Sequence, residues 1–546
     1  MTLSQSFRRA AVLATGAALA VPLALIPAGA HADPQVPTIV NPGFESGAEG
    51  WVTDSSTGTV ASVETHGFDG ASRLTQWLPA AGRMETTQTL RHVHKGWWTF
   101  SAAVKAGGAV DASHLVFEGC GSAGAVTIPS TETDDAWLQL SVSGYASGGK
   151  DCRVGFVTEG AQGSWASIDA VSLRTGTVDR TYRGADFSQV PKNEDFGAAY
   201  LTKDGTVSDP VTILADAGAN IGRLKVWVDP VDGYNDQQHV VAMAERIKAA
   251  GMKLLVDFHY SDRWTDPGAQ GMPAAWAGHT PEQVAKDVAA HTTSVLTALK
   301  EAGITADFVQ VGNEINPGML WPLGQTWDVH PADGVTGAQW DNLAAFLTAG
   351  SNAVKAVDPS TKVILHLTNI NNGIGSLTWW FDEVTNRNVP FDIIGLSYYS
   401  YWHGTFADLQ NAVSTLSARY DRDVLVVETA YPFTLEDNQN APWENTIARS
   451  SQLTRGYPAT IAGQQANFRA VQDVVASAPG GRGLGAVYWE PAWTSVAGNG
   501  WDPADASSGN AWENQAMFGY DGAVLDSVTA FAPDDRTERK PAHPGK

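Results

Sequence analysis

From residue 182 onward the chain repeats one unit: a short apolar run that ends in a polar residue, then a longer, alanine-rich stretch with helical periodicity. The runs predict strands at 184–188, 222–228, 252–260, 307–311 leading to Glu314, 362–368, 391–399, 424–429 and 485–490. Helices are predicted at 210–217, 237–250, 281–302 and 341–357, with mostly helical segments between the later strands. Eight strands alternating with helices fit an α/β fold that closes into a (β/α)8 TIM barrel. An open doubly wound sheet is the alternative, but the glycine-rich phosphate fingerprint expected after its first strand is missing.

In such a barrel every strand delivers its C-terminal residue to one mouth. That mouth would gather Asp186, Arg223, His259, Asn313, Glu314, His366, Tyr398 or Tyr399, Glu428, and Trp489 with Glu490. Each of these taken alone is an ordinary polar group at a strand end; the repetition is what points to a site. Two carboxylates, Glu314 after the fourth strand and Glu428 at the seventh, suit cleavage of a glycosidic bond, which needs a proton donor on one side and a carboxylate on the other. A gap of about 5 Å between them would give retention of configuration, and roughly 6.5–9.5 Å inversion. Arg223 and a tyrosine hydroxyl are suited to keep the nucleophile ionised and aligned.

Charge narrows the partner. A net charge of −23 and a pI near 4.8 argue against nucleic acid, anionic membranes and polyanionic polymers, whereas a neutral polymer is not repelled. The 20 tryptophans are enough to pack a core and still leave flat rings for the apolar faces of sugars. No CxxC pair or nucleotide-binding motif is present to support redox or phosphate chemistry.

Ahead of the barrel, residues 33–175 are rich in Gly, Ser and Thr and carry short alternating runs at 98–104, 114–118 and 137–142, the pattern of a β-sandwich. Residues 174–180 form a short polar joint, so the sandwich is expected to pack on the barrel domain, 181–530. Residues 1–32 have the order of a secretory signal: Arg8-Arg9, an apolar run through Ile26, then Ala30-His31-Ala32. They predict a secreted, extracellular protein, with the adjacent arginines leaving the export route open. No later segment reads as a membrane span. Cys120 and Cys152, both beyond the signal, are expected to form a disulfide contributing roughly 3 kcal/mol, and two cysteines do not make a structural zinc site. The Pro- and charge-rich tail, 531–546, is expected to lack structure.

The sandwich resembles the jelly-roll carbohydrate-binding modules of secreted glycosidases, through Asn41-Pro42-Gly43-Phe44-Glu45 leading to Gly50-Trp51 and through the closing run from Trp165 to Leu173. The resemblance implies Glu45 and Asp169 as ligands of a structural calcium, with Trp51, Trp77, Trp97 and Trp98 as candidate sugar platforms. Residues 182–528 resemble glycoside hydrolase family 53, the secreted endo-β-1,4-galactanases. The match rests on Arg183-Gly184-Ala185-Asp186, Arg223-Leu224-Lys225-Val226-Trp227, Asp257-Phe258-His259-Tyr260-Ser261-Asp262, Gln310-Val311-Gly312-Asn313-Glu314, Tyr398-Tyr399, Trp402-His403-Gly404, Val427-Glu428-Thr429 and Tyr488-Trp489-Glu490-Pro491-Ala492.

That resemblance implies a retaining hydrolase of β-1,4-galactan in type I arabinogalactan and pectin. Glu314 would be its acid/base, Glu428 its nucleophile, and Asn313 would lie near the sugar 2-hydroxyl. Trp264, Trp402 and Trp489 are implied as stacking surfaces and Asp186 and His259 as polar contacts. The chemistry requires no cofactor. Some bacterial relatives hold calcium in the loop after the seventh strand; here 435–440 retains only part of that acidic, glycine-rich character, with Asp437 and Asn438 as its candidate ligands. The alternatives are another barrel endo-glycanase (a mannanase, xylanase or glucanase) and a non-catalytic carbohydrate-binding protein, in which loss of either glutamate would leave binding unchanged.

Overall fold

The computed structural model describes residues 36–108, 110–131, 136–178, 180–439 and 443–533; the signal segment 1–32 and the tail beyond 533 lie outside them. Residues 37 onward form one compact unit. Its first part is two antiparallel sheets, of five and six strands, stacked as a sandwich. Alternation decides the faces: Leu74, Val104, Leu138 and Ile168 of the six-stranded sheet are buried against Leu115, Phe117, Val154 and Phe156 of the other. The disulfide Cys120–Cys152 closes across the five-stranded sheet, with both cysteines buried.

The second part is a closed barrel of eight parallel strands: β1 (Tyr182–Asp186), β2 (Ile221–Val226), β3 (Lys253–Phe258), β4 (Phe308–Val311), β5 (Lys362–Leu367), β6 (Ile393–Ser397), β7 (Asp423–Thr429) and β8 (Gly483–Tyr488). The predicted fourth strand stops short of Glu314. Gly312 turns the chain out of the sheet at φ 91°, and Glu314 itself sits at φ 48°, so its side chain is presented by a turn.

Among the described residues eight α-helices surround the strands: α1 (Val190–Asp195), α2 (Pro210–Ala217), α3 (Gln237–Ala249), α4 (Pro281–Glu301), α5 (Trp340–Val357), α6 (Ile374–Asn386), α7 (Phe406–Tyr420) and α8 (Ile461–Ala476). Of the predicted helices, α2, α3 and α4 start on side-chain caps and α5 does not, whereas α7 and α8, which the sequence pattern did not single out, are capped by Thr405 and Thr460. α2 opens with Asp209 capping the Val211 amide and Pro210 in the first turn, and α4 opens on a Thr280–Gln283 capping box.

Inside the barrel the two-residue period of each strand builds two layers. Ile221, Leu255, Phe308, Ile364, Ile393 and Leu425 form an apolar lower layer. One step further along, Arg223, Asp257, Gln310 and His366 replace it with a polar layer, all buried. The lower layer seals the barrel, so the polar layer is the floor of the mouth. The sandwich docks on the outside of this barrel through Gln410 of α7, which accepts a hydrogen bond from the Gln139 amide (2.7 Å) and donates one to its carbonyl (2.8 Å). Arg455 adds a hydrogen bond to the Gly108 carbonyl.

Candidate active site

The mouth of the barrel holds a cleft of about 560 Å3. Its walls include Glu314, Glu428, Asn313, His259 and Tyr399, and the indoles of Trp264, Trp402, Trp489, Trp493, Trp501 and Trp512. Of the residues expected at the site, Asp186, Arg223, His366 and Tyr398 do not line it; all four are fully buried. The first three belong to the polar floor. Tyr398 points out of the barrel, its ring against Phe406 and its hydroxyl on the Gly404 carbonyl. Strand parity explains the difference: Ile393 and Ser397 of β6 face inward, so Tyr399 continues inward and Tyr398 cannot.

Arg223 organises the floor. Its Nη1 donates to Asp186 Oδ2 (2.6 Å), its Nη2 to Glu428 Oε1 (2.7 Å), Asp257 Oδ2 (2.8 Å) and Asn313 Oδ1 (3.1 Å), and its Nε to Gln310 Oε1 (2.9 Å). One guanidinium thus faces three carboxylates. Glu428 receives a second hydrogen bond on Oε2 from the Tyr399 hydroxyl (3.0 Å). Burial pushes the Glu428 carboxyl up to about 7, against the pull of Arg223 and Tyr399. Glu314 has no cation of its own: burial first and the charge of Glu428 second push it up to about 8. Of the pair, Glu314 therefore holds its proton more tightly, and Glu428 is the first to ionise.

His259 is neutral because burial lowers its pKa. Its Nδ1 accepts from the Thr265 amide (3.1 Å), so its proton is on Nε2, 3.1 Å from Asp257 Oδ2. Asn313 is clamped between Arg223 on Oδ1 and the Thr265 carbonyl, to which its Nδ2 donates (2.7 Å).

The aromatic wall is built by contacts among rings. Trp264 stacks on Trp493 at 6.0 Å and 22°, Trp489 meets Trp512 edge-on at 4.8 Å, and Tyr399 packs on both Trp402 and Trp512. The Lys225 ammonium lies 3.9 Å from the Trp264 ring centre and 3.2 Å from Glu490 Oε1. Glu490 is therefore part of a buried ion pair beneath the wall, not of the cleft surface. Trp493, Trp501 and Trp512 were missed in the sequence because they lie in the long loops after β8, where no strand period marks a direction.

Among the described residues no group of three His, Cys, Asp or Glu side chains is arranged to hold a metal ion. Glu45 Oε1 accepts the Ala71 and Ser72 amides and Oε2 the Ser72 hydroxyl; Asp169 Oδ2 accepts the Phe68 and Asp69 amides and Oδ1 that of Ala170. All four oxygens meet hydrogen-bond donors, and through them the two acids hold the 67–72 turn on the sheet. In the loop after β7, Asp437 Oδ1 accepts the Asn445 side-chain amide (2.7 Å), and the Asn438 amide donates to Glu513 Oε1 (2.7 Å). Asp437 Oδ1 and Glu513 Oε1 are thus engaged by amide donors, and residues 440–442 of this loop lie outside the described ones.

Comparison with known proteins follows the same boundary. Residues 182–531 match the sequence profile of Glycosyl hydrolase family 53. The chain is similar to an endo-β-1,4-galactanase of Bacillus subtilis (strain 168), at 33% identity over 383 residues, covering 64% of this chain and 85% of the relative. It is also similar to an arabinogalactan endo-β-1,4-galactanase of Cellvibrio japonicus (strain Ueda107), at 36% over 364 residues, covering 65% and 91%. Among solved structures, a GH53 catalytic domain of Ignisphaera aggregans superposes with a TM-score of 0.59 at 35% identity, covering 64% of this chain and 95% of that one.

Proposed function

Since the chain belongs to glycosyl hydrolase family 53, we propose that it is an endo-β-1,4-galactanase that hydrolyses the galactan of type I arabinogalactan and pectin with retention of configuration. Glu314 is the acid/base and Glu428 the nucleophile. The observation that carries this reading is the unequal treatment of the two acids on one cleft, with Glu428 alone held by Arg223 and Tyr399. In the first step the Glu314 proton passes to the departing glycosidic oxygen while Glu428 bonds to the anomeric carbon. In the second a water attacks that carbon, returns a proton to Glu314 and frees Glu428.

The aromatic wall stacks on sugar faces and Asn313 is oriented to meet the 2-hydroxyl. Every one of these roles is filled by a side chain. The test is product analysis on a panel of β-1,4-linked polysaccharides. Galactan should be cut internally to short galacto-oligosaccharides; cleavage of mannan, xylan or glucan with galactan left intact would overturn the substrate while sparing the mechanism. The leader-like order of residues 1–32 and the Cys120–Cys152 disulfide support an exported enzyme. Among the described residues no helix is long and apolar enough to cross a membrane.

A second role falls to the sandwich, whose outer face supports tethering to the same neutral polymer. On the six-stranded sheet Trp77 lies opposite Trp165, and Trp165 lies opposite Gly107. A Cβ at Gly107 would come within 2.7 Å of the Trp165 ring, so the glycine leaves room for the indole to lie along the sheet. Trp77 is 50% exposed, whereas Trp51 and Trp98 are buried in the core and unsuited to the platform role. The next row on the same face is polar and buried, with the Thr75 and Ser167 hydroxyls 2.9 Å apart. The exposed Trp77 ring suits the apolar face of a neutral sugar. In the full chain, Trp77→Ala should weaken retardation in galactan affinity gels by about tenfold while leaving the hydrolysis rate on short soluble galacto-oligosaccharides unchanged. Unchanged retardation would remove the tethering role.

A further inference from the structure

The acid/base is joined to the floor through the side chain that ends β6. Ser397, the last residue of β6, donates its hydroxyl to Glu314 Oε1 at 2.6 Å. Behind it lies His366 of β5, with Nε2 2.8 Å from Ser397 Oγ. His366 is completely buried and does not itself line the cleft. We propose that His366 and Ser397 form a one-way hydrogen-bond relay that occupies Glu314 Oε1 and so confines the transferable proton to Oε2, making both of them positioning residues for the acid/base.

The direction of the relay follows from donors and acceptors. The Glu314 backbone amide, which can only donate, points at His366 Nδ1 (3.3 Å). The Gln310 side chain also lies against Nδ1 (2.9 Å), and its orientation is fixed because Arg223 Nε donates to its Oε1, leaving the NH2 toward the imidazole. Asn313 Oδ1, 3.0 Å from the same nitrogen, is an acceptor and would prefer a proton there. Two donors outweigh it, so Nδ1 carries the lone pair. Burial and the nearby Arg223 charge keep the imidazole neutral, and its single proton is therefore on Nε2, aimed at Ser397 Oγ. With that lone pair taken, the serine proton goes to Glu314 Oε1.

A carboxyl that already accepts a hydrogen bond on one oxygen carries its acidic proton on the other. During cleavage the Oε2 proton moves to the leaving oxygen as the carbon–oxygen bond breaks; when water attacks, its proton returns to Oε2. Through both transfers Ser397 keeps its own proton. Without the serine, Oε1 loses the donor that marks it as the acceptor, the Thr368 hydroxyl is the side-chain hydrogen bond left on the carboxyl, and in a fraction of encounters the proton sits on the oxygen turned away from the substrate. β6 and β7 fix the arrangement, since a register irregularity after Leu396 pairs Ser397 with Glu428 itself.

The charged and titratable groups around the pair are known. Glu314 faces Glu428 and Asp266; His366 faces Arg223, Asp257, His259 and His403. None of them is altered by Ser397→Ala. The inference rests on Glu314 being the acid/base, which Glu314→Ala tests separately.

The experiment compares Ser397→Ala and Ser397→Thr in the full chain, by kcat/KM on galactan and on a 2,4-dinitrophenyl β-1,4-galactobioside whose leaving group needs no protonation. Ser397→Ala should lower kcat/KM on galactan by about 10- to 100-fold and on the activated substrate by less than about threefold. It should also move the basic limb of the galactan pH profile to higher pH, because the carboxylate loses a hydrogen bond that stabilised it. Ser397→Thr, which keeps the hydroxyl, should recover most of the loss. Equal losses on both substrates would overturn the relay in favour of a merely structural serine, and so would undiminished hydrolysis of galactan. Either result leaves the roles of Glu314 and Glu428 standing.

Discussion

Glu428→Ala should abolish hydrolysis of galactan, with kcat falling by at least about 10^4-fold, or roughly 5.5 kcal/mol of transition-state stabilisation. Added azide should restore turnover and yield a galactosyl azide of inverted configuration. The small anion enters the space of the missing carboxylate on the face away from the leaving group and makes one displacement where the enzyme makes two. Near-normal hydrolysis without azide would reject Glu428 as the nucleophile. The loss would not come from unfolding. Glu428 is one of three acids sharing Arg223, and its folded pKa lies above the ordinary carboxylate value. A raised carboxyl pKa means that ionising the group opposes folding as pH rises through that value. At pH 8 the alanine variant should melt no lower than the parent. The site thus carries an electrostatic cost that only catalysis explains.

Glu314→Ala should also lose galactan hydrolysis but should differ on an activated substrate and in the azide product. Hydrolysis of galactan should fall by about 10^2- to 10^4-fold, the usual worth of a general acid/base. The kcat/KM for the dinitrophenyl galactobioside should survive, since departure of that group needs no proton. Azide should now give a galactosyl azide of retained configuration, because the intact Glu428 still forms the glycosyl-enzyme that azide intercepts. The pH profile supplies an independent check. In the parent, activity should fall as pH drops through the Glu428 titration near 7, which protonates the nucleophile, and as pH rises through the Glu314 titration near 8, which removes the acid. For the activated substrate with Glu314→Ala the acidic limb should remain and the basic limb disappear. Loss of both limbs, or an inverted azide, would exchange or remove the assigned roles.

Much of this was legible from the residues in order. Strands β2, β3, β5 and β7 are apolar runs with few rivals, and α2 and α4 announce themselves by Asp209-Pro210 and by Thr280-Pro281 with Gln283. α6 and α7 did not stand out. Ile374–Asn386 begins on Gly373, which offers no capping side chain, whereas Phe406–Tyr420 carries a readable start, the Thr405–Asp408 capping box, that was passed over behind the aromatic-rich loop before it. At the site, Glu314, Glu428, Asn313 and Tyr399 were within reach because each follows an apolar strand. Ser397 was overlooked beside two tyrosines, although counting in twos from Ile393 would have selected it.

What the linear order determined was which residues arrive at the mouth, because strand and helix periods are local properties and a parallel barrel turns every strand end toward the same side. Which of those residues line the cleft was decided only by closure. Arg223 and His366 reach the mouth but are spent beneath it on partners contributed by other strands, and Trp77 and Trp98, alike in sequence context, part company because one faces water and the other the core. Hydrogen bonds between strands, burial and the resulting separation of two carboxyl titrations depend on distances across the barrel, and those exist only once segments far apart in the chain share a single floor.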